Sequence, residues 1–139
     1  MIIRAFEMEK DYDMVCGWWA KRGLPPVPTV ILGIAQGVIV SAGKQDVAAG
    51  WMYFDETLTI GVVDWITTNP TMALSPTLTD GINRILAFFE YAAKEKSVHN
   101  LFSFVAKDTG LHRQMVKTGW QDPQSEPHVY LFKSWPLPH

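Results

Sequence analysis

The sequence predicts a mixed α+β domain: a central, mostly antiparallel sheet with one parallel pair, flanked by helices. Residues 37–68 hold three β-forming runs separated by short turns, and a long helical pattern then divides the third run from another at 100–106. Strands joined by turns pair antiparallel, whereas a strand–helix–strand crossover sets its two strands side by side and parallel. A third observation completes the pattern. Residues 109–121 read as a short amphipathic helix stopped by Gly119, with Trp120 opening a new extended segment.

In chain order, residues 2–5 are a short strand candidate. Residues 10–22 read as a helix with Tyr12, Val15, Cys16 and Trp19 on one face and Gly23 as its stop. Trp18 and Trp19 are adjacent, so one is expected in the core and the other over the connector or lining a groove. Pro25, Pro26 and Pro28 make that connector stiff and extended, because proline fixes φ and removes a donor. Runs 37–41 and 47–54 form a hairpin across residues 42–46, and 59–68 follows through residues 55–57. Asn69-Pro70 closes that strand. Ser75 offers a capping hydroxyl and Pro76 the first position of a helix, along which Leu78, Ile82, Ile85, Phe89 and Ala92 recur at helical spacing. Residues 128–134 alternate weakly and read as the closing strand. The expected core is Val63, Trp65, Ile82, Ile85, Phe89, Leu101 and Val105.

At 139 residues the chain reads as one domain, 1–139, without internal repeats or linkers. Apolar residues make 47% and charged residues 19%, a globular balance. A formal charge of −2 gives no general attraction to nucleic acid, so such a partner is not the first expectation. One cysteine, no signal-peptide pattern at Met1 and no apolar run of about 18 residues predict a cytoplasmic protein that does not span a membrane. The histidines, His99, His112, His128 and His139, lack metal-ligand spacing, and no serine elbow or phosphate-binding glycine loop is present.

The element order, with a helix ending at Gly119-Trp120, resembles the GCN5-related N-acetyltransferase (GNAT) superfamily over nearly the whole chain. Trp18-Trp19 through Pro25-Pro26, then Gly37-Val38-Ile39-Val40, is similar to a phage-associated subgroup of GNAT-like proteins. The resemblance implies a GNAT-like acyl-CoA N-acyltransferase fold in which strands 59–68 and 100–106 splay apart. The pantetheine arm of acetyl-CoA then lies in the gap and pairs with backbone near Ile66, Thr67 and Thr68. Its pyrophosphate sits on the first amides of the next helix, residues 76–80, a terminus whose free N–H groups favour anions.

The chain departs from the family pattern at two places. The usual fingerprint is Arg or Gln, two residues, Gly, one residue, then Gly or Ala. If Gly81 stands for its first glycine, Leu78 replaces the Arg or Gln and Asn83 the second small residue, while Asp80 adds a negative charge. The hydroxyls of Ser75, Thr77 and Thr79 are the substitutes available. A tyrosine that commonly protonates the departing thiolate lies four residues before the glycine, and here that residue is Met115.

An amine nucleophile with pKa near 10.4 is mostly protonated at pH 7, so acyl transfer to it requires a proton acceptor. Asp64, a carboxylate within the apolar run 60–66, is the candidate base, facing the cleft with Val62 and Ile66. Tyr53 and Ser103, on flanking strands, are candidates to line the same cleft. Three functions compete: an acetyl-CoA-dependent N-acetyltransferase with a small-molecule or protein amine acceptor, a catalytically degenerate GNAT-fold binding or host-interaction module, and a phage nucleic-acid-modifying relative. The chain is expected as a monomer or homodimer.

Overall fold

The computed structural model of the chain describes residues 1–55, 57, 59–72 and 75–122. The expected strand at 128–134 lies outside the described residues, as do Glu56, Ala73 and Leu74. The elements run β1 (Ile2–Ala5), α1 (Met8–Lys21), α2 (Thr29–Leu32), β2 (Gln36–Ala42), β3 (Gln45–Asp55), β4 (Ile60–Thr68), α3 (Pro76–Glu95), β5 (Asn100–Phe102) and α4 (Gly110–Lys117). The sheet order is β1-β2-β3-β4-β5. Three pairs are antiparallel, and β4 with β5 is parallel, as the crossover through α3 predicts.

Two apolar clusters cover the two faces of the sheet. On one, Leu78, Ile85 and Phe89 of α3 pack on Val38, Val40, Val47, Met52 and Val63. Gly81 is what brings α3 so close. A Cβ there would stand 2.9 Å from Val47 Cγ1, so glycine permits contact between helix and hairpin. The buried stripe accordingly runs through Gly81 and Ala93, while Ile82 and Ala92, expected at its centre, are half-buried.

The second cluster joins Val15, Trp18 and Trp19 of α1 to Ile39, Ala49 and Trp51 of the sheet. Both tryptophans are buried, which corrects the expectation that one must lie outside the core. Val27 and Leu32 belong to the same cluster, and Tyr12 Oη donates to the Val27 carbonyl at 2.9 Å. The proline connector and α2, a helix the sequence reading did not contain, therefore cover Trp18. Beneath the start of α1, Asp11 is 2% exposed and accepts from Arg4 at 2.8 and 3.0 Å and from the Glu7 N–H at 2.9 Å. Arg4 also reaches Asp46 at 3.3 Å, tying β1, α1 and the β2–β3 hairpin together.

At the far end, α4 stops as its sequence predicts. Gly119 takes φ +103°, its N–H bonds Val116 O, and the Trp120 N–H bonds Met115 O at 3.1 Å. Strand β5 is shorter than the expected 100–106. Its pairing ends at Phe102 opposite Val62, two residues before β4 changes register against β3 at Asp64. Trp65, Leu101 and Val105 are half-buried rather than fully buried.

Candidate active site

Ala49 pairs with Thr67, but Trp51 pairs with Asp64, so β4 advances three residues while β3 advances two. The extra residue is a β-bulge, and Trp65 within it holds φ +54°. A bulky residue in that region costs of order 1–3 kcal/mol and persists only where its surroundings enforce it. The bulge reassigns the faces of the strand. Val62 and Asp64 lie opposite Tyr53 and Trp51, and Trp65 packs with them on the α1 side, whereas Ile66 turns to the α3 side. The expected grouping of Asp64 with Val62 therefore stands, but Ile66 is removed from it by the added residue.

Asp64 is half-buried, and its Oδ1 accepts the Trp65 N–H at 2.8 Å. Burial pushes its carboxyl above the ordinary range, only partly opposed by that backbone bond. No described cation forms an ion pair with it. Tyr53 stands on the same face, its ring edge-on to Trp65 with centroids 5.2 Å apart. Burial, then the charge of Asp64, pushes the Tyr53 phenol up to about 12. Ser103 does not join them. It lies beyond β5 and lines a separate cavity of about 630 Å³ with Phe102, Phe104, Met115, Val116 and Trp120.

Past the bulge the outer edge of β4 has no strand partner among the described residues. The Asn69 N–H bonds Val47 O across the β3 side, so by strand alternation the N–H and C=O of Thr68 point outward. Arg22, at the end of α1, meets that edge and donates from Nη2 to the Thr68 carbonyl at 3.0 Å and to its hydroxyl. Thr67, facing α1 opposite Ala49, is 4% exposed and its Oγ1 has no partner. A buried hydroxyl without a partner is costly, and a ligand atom at this edge is one way to satisfy it.

The start of α3 fits an anion less well. Pro76 has no N–H, and the amides of Leu78 and Thr79 already bond Ser75 O at 3.1 and 3.4 Å. Ser75 makes no capping bond through its side chain, contrary to expectation, which leaves that hydroxyl available beside Thr77. Leu78 and Gly81 are buried against the sheet rather than presented at the loop. Asp80 is exposed, and so is Thr79. Met115 is 3% exposed in the core, so the thioether at that position packs and transfers no proton. The contribution of Arg22 was invisible in the sequence, where nothing links it to a threonine 46 residues away.

No protein-family model matches the chain, and no curated protein matches it in sequence. Its similarity is to solved structures. One is the ribosomal-protein-alanine N-acetyltransferase of Brucella melitensis biovar Abortus 2308, at 16% identity and TM-score 0.63, over 95% of this chain and 100% of that one. A second is the aminoglycoside antibiotic 6′-N-acetyltransferase of Acinetobacter haemolyticus, at 20% identity and TM-score 0.60, over 98% and 100%. A third is a predicted acetyltransferase of Clostridium acetobutylicum with acetyl-CoA, at 16% identity and TM-score 0.62, over 93% and 95%. The chain thus has the mixed α+β fold of the GNAT acetyltransferases, a five-stranded sheet with one parallel pair flanked by helices. The first two names carry different acceptors, so the fold names no acceptor here.

Proposed function

We propose that this protein is an acyl-CoA-dependent N-acyltransferase that moves an acetyl group from acetyl-CoA to an amine. The observation that carries the reading is the bulged β4. It turns the Thr68 N–H outward at the sheet edge, beside the carbonyl that Arg22 holds, and, within four residues, sets a half-buried carboxylate on the α1 face. Thr67 and Thr68 receive the pantetheine arm. Arg22 supplies at this end of the strand the positive charge that Leu78 does not supply in the fingerprint position. Ser75, Thr77 and Thr79 offer hydroxyls to the phosphates.

In this mechanism Asp64 takes a proton from the bound ammonium. Its raised pKa makes it a better base than a fully solvated carboxylate. The neutral nitrogen attacks the thioester carbonyl, the C–N bond forms, and the C–S bond breaks. Tyr53 is a poor acid for the leaving thiolate. A phenol at about 12 holds its proton against a thiol near 8.5 by roughly 3.5 pH units. Tyr53 therefore donates a hydrogen bond without transferring its proton, and the thiolate is protonated from Asp64 or water.

The acceptor is an amine on a small molecule or a protein, and the enzyme acts in the cytoplasm as a monomer or homodimer. Kinship with phage-associated GNAT-like proteins rests on the Trp18-Trp19 to Val40 stretch alone. A second reading, a GNAT-fold binding module without transfer, is favoured by Pro76 and Met115 standing where the family has a phosphate loop and an acid. A thiol-release assay with acetyl-CoA and mixed primary amines separates the two. The enzyme reading expects free CoA thiol to accumulate, and Asp64→Asn to slow it about 10²–10⁴-fold. No thiol release from any amine, with acetyl-CoA still bound, would leave the binding module.

A further inference from the structure

Asp64 stands among aromatic rings and without a partner cation. Its Oδ1 is held by the Trp65 N–H at 2.8 Å, and no described residue forms an ion pair with the carboxylate. Around it on the α1 face are Tyr53 and Trp65, edge to face at 5.2 Å, with Val62 beside Tyr53 and Trp51 fully buried directly across the sheet. The bulge that holds Trp65 at positive φ is what turns this ring to the same side as Asp64. A charge in such surroundings is costly unless a counter-charge joins it. Aromatic faces attract ammonium groups and bury apolar bodies, so the missing counter-charge is a cation attached to an apolar frame.

We propose that the acceptor is a singly charged primary amine with an aromatic or aliphatic body, its ammonium on Asp64 and its body against Tyr53 and Trp65. This rests on the N-acyltransferase reading above and adds the substrate class. One carboxylate neutralises one ammonium. A polyamine or an aminoglycoside brings further charges for which this face offers aromatic and aliphatic groups. The step balances: the ammonium gives one proton to Asp64, nitrogen bonds the acetyl carbon, the C–S bond breaks, and the second proton shed by the acylated nitrogen passes through water to the leaving thiolate. Amide, CoA thiol and one proton are the net products once Asp64 discharges.

The test uses the full chain and reads amine binding apart from transfer. Phenethylammonium, hexylammonium, spermidine and kanamycin are titrated into the wild type by calorimetry, with 2-phenylethanol as an uncharged control and acetyl-CoA in a separate titration. Phenethylammonium and hexylammonium should bind at least tenfold more tightly than spermidine, kanamycin and the alcohol. Asp64→Asn should weaken the two monoamines at least tenfold, and Trp65→Leu should weaken phenethylammonium more than hexylammonium. Near-ultraviolet circular dichroism of each variant confirms that it is folded. Tighter binding of spermidine or kanamycin, equal binding of the alcohol, or no loss in Asp64→Asn overturns the proposal. Acetyl-CoA that fails to bind while the monoamines do would sink the acyltransferase reading and leave the amine site standing.

Discussion

The two ends of β4 behave differently although one strand carries both. Over residues 60–62 it is paired on both edges, antiparallel with β3 and parallel with β5. From Asp64 to Thr68 it keeps β3 and loses β5. There the chain places a non-glycine residue at positive φ, a buried hydroxyl without a partner and a half-buried carboxylate. Each of these is unfavourable alone. Their concentration in five residues of one strand is the observation on which the proposed site rests.

The contrast can be broken first at its stable end. Phe89 is fully buried against the sheet, so Phe89→Ala should cost about 3–5 kcal/mol in urea unfolding. An unchanged midpoint would place the α3 face outside the core. Gly50→Ala tests the bulge itself. Its Cβ would stand 2.9 Å from Ile85 Cγ2 and 3.2 Å from Ile66 Cγ1, so a loss of about 1–3 kcal/mol is expected. Wild-type stability in that variant would mean the bulged register is not tightly packed.

Two carboxylates give smaller effects of opposite sign. Burial works to raise the pKa of Asp11, but bonds from Arg4 and the Glu7 N–H outweigh it and hold the carboxyl below 3.8. Its stabilisation is present above the ordinary carboxylate pKa and is lost as pH falls through the depressed folded value. Asp11→Ala should cost about 1–3 kcal/mol at neutral pH, with less acid sensitivity remaining. Asp64 is the reverse. Its folded pKa is raised above 3.8, so the folded state holds the proton more tightly and stability declines as pH climbs from 3.8 through the raised value. Asp64→Asn should be slightly more stable than wild type at pH 7, while losing activity. A less stable Asp64→Asn would mean the carboxylate is a structural partner and not a base kept at a cost.

Most of the paired sheet was legible in the sequence. The hairpin, the crossover through α3 and the Gly119 stop follow from alternation, helical spacing and a glycine where φ must be positive. The bulge was not. Trp65 reads as one more β-forming residue in an apolar run, and the positive φ is imposed by the register against β3 rather than by a local signal. Plain alternation without it puts Ile66 on the face of Asp64, whereas the added residue turns Ile66 to the α3 side. The burial of both Trp18 and Trp19 was not legible either: helical spacing fixes one face, but the proline connector and α2 supply a second layer from elsewhere in the chain. Asp64 and Tyr53 were legible as neighbours because cross-strand alternation holds up to residue 64. Arg22 was not, since its partner at Thr68 is set by tertiary packing.

The central claim is that the outward edge of Thr68 receives acetyl-CoA, and amide hydrogen exchange along β4 tests it most directly. With millimolar acetyl-CoA, exchange at Thr68 should slow in a saturable way, while residues 60–62, already paired on both sides, should be unchanged. Arg22→Ala should shift the midpoint to higher acetyl-CoA. Unaltered exchange at Thr68, together with no calorimetric heat at the same concentration, would contradict the account.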